Sequence, residues 1–366
     1  MITGVDIFCG VGGLTHGLCS GGIHVAAGID VDPECRFPYE ANNNAKFVES
    51  DIGAVTGKDL RTLWAKQAYR LLAGCAPCQP FSTYGRKKGK VAESKKKWSL
   101  VTEFGRLISE SEPDFITMEN VPQLILHEVF EKFVSSLERR GYCVHSQIVD
   151  CVRYGIPQTR KRLVLLASRL GPITLVEPPD LSDGETTVRK AINSLKILRA
   201  GEKDPDDLMH SACRLSEINL KRIRASRPGG TWRDWDSVLL ADCHRRDSGE
   251  TYSGVYGRMS WEEPSPTITT QSFGYGNGRF GHPEQDRAIT LREAAILQTF
   301  PSSYRFLREH EKVRYSVLGR LIGNAVPVKL GEHLASSFFL HLKKYTLANR
   351  RRRNWAASRL GLQEGC

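Results

Sequence analysis

The chain has 366 residues, 40% hydrophobic and 25% charged, so it can bury a full core, and its length suits two or three domains. Ten cysteines lack framework spacing, Met1 is not followed by a charged and then apolar leader, and no uncharged apolar stretch is long enough to span a bilayer. These features argue against a secreted or membrane protein and lead us to expect a cytoplasmic one. A formal net charge of +11 calls for an anionic partner, and a large polyanion is the simplest.

Residues 4–8 read as a buried strand that runs into the turn Cys9-Gly10-Val11-Gly12-Gly13 and a helix start at 14–18. Such glycines let the backbone turn tightly and approach a ligand, as at the first crossover of a doubly wound sheet. The next strand, 25–29, ends in Asp30, about 20 residues on, where a dinucleotide-type arrangement sets an acid on ribose hydroxyls. Together the two features favour an adenosine-containing cofactor. Asp51, followed by Ile52, ends a strand at 47–50 and is placed to receive the adenine.

An apolar run at 69–73 leads to Gly74-Cys75-Ala76-Pro77-Cys78-Gln79-Pro80-Phe81-Ser82. Cys78 is a candidate nucleophile, since a thiolate that opens a new segment after a strand is activated by cations or a helix N-terminus. Cysteine is also a small buried hydrophobe, and Cys75 with Cys78 forms a C-x-x-C that fits a redox pair or half a zinc site. Zinc needs about four ligands, and neither a second C-x-x-C nor a close histidine pair supplies them, so no metal is expected. Between Arg86 and Lys97 seven basic residues oppose only Glu93. This run is either a solvated loop or a clamp on a phosphate backbone.

A helix at 99–109 precedes a strand at 114–118 that delivers Glu119-Asn120-Val121-Pro122. Glu119 therefore lies either where parallel sheets hold ligands or on the surface as a helix cap. After a helix at 129–140, a strand at 147–152 and a turn at 154–157, Arg160 and Arg162 introduce the strand 163–167. Two residues apart on an extended chain, they point to one side, and they suit an anion, a carbonyl-rich base or plain solvent. The alternation of apolar strands with helices predicts an α/β fold, a doubly wound and mainly parallel sheet with helices on both faces.

Residues 172–185 read as a linker rich in Pro, Asp, Gly and Ser. From 186 to 285 the rhythm is lost, and the glycine, aromatic and arginine loops there fit a DNA-groove reader as well as other binding surfaces. Thr290 and Glu293 form a capping box for a helix through Gln298. Residues 323–328 introduce a last helix to about 343, and a basic tail, 344–366, carries the run Arg350 to Arg353.

The ordered motifs Asp6-Ile7-Phe8-Cys9-Gly10-Val11-Gly12-Gly13, Pro77-Cys78-Gln79, Glu119-Asn120-Val121, Gln158-x-Arg160-x-Arg162, Arg292-Glu293-Ala294-Ala295 with Gln298, and Gly323-Asn324 resemble one family. It is the cytosine-C5 DNA methyltransferases of bacterial restriction-modification type, and the resemblance covers all but the second domain and the tail. It implies a Rossmann-like catalytic and cofactor domain over 1–185, a target-recognition domain over 186–285, a return to the catalytic domain over 286–345, and the tail 346–366. It further implies S-adenosylmethionine held by Phe8, Gly10, Gly12, Gly13, Asp30, Val31, Asp51, Ile52, Pro77, Asn324 and Val326. In the implied chemistry Cys78 adds to C6 of a flipped cytosine, Glu119 shares a proton with N3, and Arg162, helped by Arg160, holds the base carbonyl and neighbouring phosphate. A departure is Lys97-Trp98, where the family often has Arg-Gly.

The implied partner is double-stranded DNA in a prokaryotic cytoplasm, beside the nucleoid and away from membranes. A monomer is expected because one asymmetric cleft can methylate each strand in turn, and a cognate restriction endonuclease is a possible companion. Rival readings are an RNA cytosine-C5 methyltransferase, a non-catalytic DNA-binding protein on the same fold, and a Cys75-Cys78 thiol-disulfide protein. The long second domain favours duplex DNA over RNA, intact Cys78, Glu119 and Arg162 favour catalysis, and the thiol-disulfide reading leaves the glycine turn and Asp30 without a role.

Overall fold

The computed structural model describes residues 1–64, 69–77, 91–246, 249 and 254–359, with backbone alone for 91–99 and 351–359. In chain order the amino-terminal part runs β1 (Ile2–Ile7), α1 (Gly13–Ser20), β2 (His24–Asp30), α2 (Arg36–Asn42), β3 (Lys46–Glu49), α3 (Gly57–Trp64), β4 (Tyr69–Gly74), α4 (Val91–Ser111), β5 (Phe115–Asn120), α5 (Glu128–Arg139), β6 (Cys143–Asp150), β7 (Gln158–Thr159) and β8 (Lys161–Ser168). Short helices α6 (Val188–Ile192) and α7 (Glu217–Ala225) and strand β9 (Ser265–Pro266) follow, then α8 (Leu291–Leu297), α9 (Tyr315–Asn324) and α10 (Val328–Arg359).

Seven strands form one sheet in the order β3-β2-β1-β4-β5-β8-β6. The pairings from β3 through β5 are parallel, while β8 runs antiparallel to both β5 and β6. The chain leaves β1 to build β2 and β3 on one side and returns to β4 on the other. This reversal opens a crevice at the carboxyl ends of β1 and β4, where open α/β sheets bind ligands.

Strand alternation divides the core into two layers. Leu163, Leu165 and Ala167 join Phe104, Phe130 and Phe133 of α4 and α5 beneath one face. Val164 and Leu166 join Leu14 and Leu18 of α1 and Leu330, Leu334 and Phe338 of α10 on the other. Gly17 of α1 lets these helices touch: a Cβ there would lie 2.7 Å from the Cα of Gly331. A third cluster, built from α6, α8, α9 and residues 300–306, closes over Val11, Tyr39 and Phe47.

Several elements differ from expectation in extent. Helix α4 begins at Val91 instead of 99, β6 begins at Cys143 instead of 147, and Glu119 and Asn120 lie inside β5. Residues 315–322, not singled out in the sequence, form α9 together with Gly323 and Asn324, so the last helix, α10, begins at Val328, and it continues through Lys344 to Arg359 into the basic tail. The segment 186–285 is indeed irregular, and β9 ties it to β7 through the pairs Gln158 with Ser265 and Thr159 with Pro266. Among the described residues no helix is long and apolar enough to cross a membrane.

Candidate active site

The carboxyl edge of the sheet gathers most of the singled-out residues. As the chain leaves β1, Phe8 takes a left-handed backbone (φ 58°), a conformation uncommon for a bulky residue and costly unless its surroundings enforce it. Gly10 (φ 53°) donates its N–H to Asp30 Oδ2 at 2.9 Å, and Asp32 donates to Asp30 Oδ1 at 3.0 Å. Asp30 is thereby aimed across the turn, and burial raises its pKa against the lowering effect of these bonds. Among the described residues no atom beyond its chain neighbours lies within 4 Å of a Cβ built at Gly10, which leaves the backbone there open to a ligand.

Gly12 and Gly13 have a different environment. A side chain on Gly12 would run into Asn43 and Tyr39, and one on Gly13 into the carbonyl oxygen of Val326. Val326 is buried against α1, whereas Asn324 ends α9 exposed. Val31 is 64% exposed, Ile52 is buried, and exposed Asp51 accepts the Gly53 N–H at 2.8 Å.

Glu119 and Arg162 meet for a reason visible in the register. Glu119 of β5 lies opposite Val164 of β8, and Arg162 is two residues from Val164 on the same face, within diagonal reach. Arg162 Nε sits 2.7 Å from Glu119 Oε1, and the carboxylate side chain is 3% exposed. The N–H is not directed along this contact, so Oε1 carries a facing charge but no hydrogen bond among the described residues. Cys75, just beyond β4, donates its S–H to Glu119 Oε2 at 2.9 Å. Burial, then the charge of Glu119, pushes the Cys75 thiol well above its ordinary pKa, so it remains a donor. Asn120 Nδ2 donates to the Ala76 carbonyl at 3.0 Å and fixes the exit of β4 to that of β5. Exposed Pro77 ends this described stretch. Cys78, the basic residues 86–90 and the side chains of Lys95 to Trp98 lie outside the described residues.

Arg160 has partners that alternation alone does not indicate. It precedes β8 by one residue, and its N–H bonds to the Gln158 carbonyl at 2.8 Å in a tight turn, while its charge, like that of Arg162, is felt at Cys75. Its buried guanidinium donates to Gln158 Oε1 and the Ile268 carbonyl at 3.3 Å and to the Ala325 carbonyl at 3.4 Å. Burial, then the nearby charge of Arg162, lowers its pKa to about 9. It therefore joins three segments instead of lying in solvent.

Two site residues escaped sequence reasoning. Cys75 was weighed only as a partner of Cys78, although the register that sets Gly74 beside Met118 brings it next to Glu119. Asp6 lies fully buried below the glycine turn, accepts Thr15 Oγ1 at 2.7 Å, and leaves Oδ1 unpartnered among the described residues. Burial, partly offset by Thr15, raises its pKa to about 7. An acid amid apolar strand residues was the available signal. No group of three His, Cys, Asp or Glu side chains suited to a metal occurs among the described residues.

Residues 2–339 match the family described as C-5 cytosine-specific DNA methylase. The chain belongs to that family. This methyltransferase is 52% identical over 336 residues to the type II methylase M.HgiDII of Herpetosiphon aurantiacus, covering 91% of this chain and 94% of that one. It is 30% identical over 345 residues to the type II methyltransferase M1.HphI of Haemophilus parahaemolyticus, covering 92% and 86%. Among solved structures, the Entamoeba histolytica methyltransferase EhMeth superimposes with a TM-score of 0.65 at 15% identity, over 93% of this chain and 99% of that one. The likeness bears out the Rossmann-like sheet, and the family match makes the enzyme a DNA cytosine-C5 methyltransferase.

Proposed function

We propose that the enzyme transfers the methyl group of S-adenosylmethionine to C5 of a cytosine flipped from a short, specific duplex sequence, through a covalent bond between Cys78 and C6. The observation that carries this reading is the buried Glu119 carboxylate, whose Oε1 has a cation beside it and no hydrogen bond among the described residues. A buried acceptor left open in this way suits a substrate N–H.

The carboxyl edge fits the cofactor. The space that the described residues leave at Gly10 suits close approach to the backbone, and Asp30, anchored by two N–H groups, suits ribose hydroxyls. Phe8, Val31, Asp51, Ile52, Pro77 and Val326 would enclose the rest of the nucleoside and methionine, with Gly12, Gly13 and Asn324 shaping the turn and its rim. When bound, S-adenosylmethionine supplies an electrophilic methyl group to C5.

The chain's own groups prepare the base. Attack by the Cys78 thiolate at C6 makes C5 enamine-like, and a proton shared between Glu119 and N3 neutralises the charge that the addition sends into the ring. Arg162, beside Glu119, holds the carboxyl and the base carbonyl. Arg160 acts by fixing the loops at 268 and 325. Loss of the C5 proton after methyl transfer expels Cys78 and restores the aromatic ring. Flipping the base costs a few kcal/mol, and the basic residues from Arg86 to Lys97 clamp the opened duplex.

In this reading residues 1–185 and 286–345 make the catalytic domain and 186–285 read the target. The enzyme works as a cytoplasmic monomer and protects host DNA from a cognate endonuclease, as the type II naming of its relatives suggests. The test is incubation of wild type and Cys78→Ala with labelled S-adenosylmethionine and duplex DNA, followed by bisulfite sequencing. Methylation at one short motif by wild type and none by the variant is expected. Methylation by the variant sinks the covalent mechanism, and labelling of RNA but not DNA sinks the substrate assignment.

A further inference from the structure

The catalytic reading leaves one sequence feature unused, the basic run near the end of the chain. The family match stops at residue 339, but α10 continues for another 20 residues, to Arg359. Over 340–359 the sequence has Lys343, Lys344, Arg350 to Arg353 and Arg359, and no Asp or Glu. Lys343, Lys344 and Arg350 are exposed, and none makes an ion pair with a described residue. Positions 343 and 350 are seven apart, on one face of the helix. Like charges so close on a helix repel one another unless a counter-charge arrives from outside.

The position of this helix decides what can supply it. Helix α10 starts beside the candidate active site, where Val326 abuts Gly13, and crosses the sheet towards the amino ends of the strands. There His341 Nε2 meets Ser168 Oγ at 2.8 Å, and Ser168 pairs with Phe115 and Cys143, the first residues of β5 and β6. Beyond His341 the helix extends about 27 Å further. The strands put about 20 Å between this edge and the one that carries Glu119 and Asp30. A duplex held at the catalytic edge therefore does not supply the missing anions.

We infer that the extension of α10 is a second DNA-binding surface, which holds the phosphate backbone of another duplex segment while the first is in the catalytic cleft. The partner chemistry is a regular polyanion, recognised through charge and without base reading. Such a site keeps the enzyme on long DNA between encounters with its target. The inference rests on DNA being the substrate.

The test uses the full chain and a variant with Lys343, Lys344 and Arg350 to Arg353 each changed to Gln, a good helix former. A fluorescent duplex of about 15 base pairs, carried to excess, is titrated at about 50 and about 200 mM NaCl, because phosphate contacts weaken steeply over that range. Uptake is followed by anisotropy and sedimentation, and methylation by label transfer. Wild type is expected to take up two duplexes at low salt and one at high salt, and the variant one at both, with equal methylation of the short duplex. One duplex on wild type at low salt, or a second held equally by the variant, overturns the inference. Loss of short-duplex methylation in the variant also overturns it, by assigning the helix to the cleft. Should the sixfold variant misfold, Lys343→Gln/Lys344→Gln is expected to lower affinity for the second duplex several-fold, and no change refutes the idea. Two duplexes bound without label transfer identify failure of the methylation reading alone.

Discussion

Glu293 enters the sequence reading as half of a capping box, yet the structure gives it a heavier task. Its oxygens accept Arg287 Nη1 at 2.8 Å and Nη2 at 2.7 Å, and the Thr290 N–H donates to Oε2 at 2.7 Å. Both charged side chains are essentially inaccessible, at 0% and 1%. Burial pushes the carboxyl pKa up, but the hydrogen bonds and charge of Arg287 outweigh it and bring the value down from 4.5 to about 2. A folded pKa below the unfolded one stabilises the fold above about pH 4.5, and that contribution fades as pH falls towards 2. The shift corresponds to about 3 kcal/mol at neutral pH. Breaking a buried pair from one side costs about 3–5 kcal/mol by a separate line of argument. Glu293→Gln is therefore expected to lose about 3 kcal/mol in urea unfolding at pH 7, since its amide points donors at a guanidinium that already has only donors. The double variant Arg287→Met/Glu293→Leu, which leaves no charge unpaired, is expected to lose less than the single one. A loss below about 1 kcal/mol for Glu293→Gln, or a double variant worse than the single, refutes the assignment of this pair as a mutually dependent unit.

Asp6 has the opposite sign: its pKa is raised from 3.8 to about 7 by burial, so its stabilising protonated form is lost as pH rises towards 7. Asp6→Asn, which keeps an acceptor for Thr15, should flatten the fall in stability between pH 4 and 7, a difference of no more than about 4 kcal/mol; chemical denaturation across that range checks it. Gly13→Ala forces a methyl onto the Val326 carbonyl, a backbone atom, and should cost about 1–3 kcal/mol in thermal unfolding and weaken S-adenosylmethionine binding by calorimetry. Cys75→Ala removes the donor to Glu119 Oε2 and should lower kcat several-fold and alter its pH profile, whereas Cys75→Ser, which also donates, should restore both. Equal profiles for wild type and Cys75→Ala would show that the contact is only packing.

What the sequence made legible is what repeats or is local. The apolar runs at β1, β2, β4 and β5 each end in or lead straight to a candidate site residue, so the carboxyl edge could be drawn from the sequence, and Thr290-x-x-Glu293 announced its helix. Contacts between distant segments left no such trace. Gln158 and Gln298 are 140 residues apart, and their side-chain bond at 3.0 Å, with the Gln298 donation to the Ile322 carbonyl at 2.9 Å, joins β7, α8 and α9 in the buried interior. Arg160 shows where periodicity falls short. The rule that sets residues i and i+2 on one side places Arg160 with Arg162, and both charges are felt at Cys75, but it says nothing of the Ile268 and Ala325 carbonyls that accept from the buried guanidinium. The same two-residue rule holds in the uninterrupted pairing of β5 with β8, and there it brings Arg162 to Glu119. The difference between these two arginines is thus the partner: carbonyls of the segments at 268 and 325 hold Arg160, and the neighbouring strand offers Glu119 to Arg162. A reading confined to the local sequence cannot see a partner that arrives more than 100 residues later.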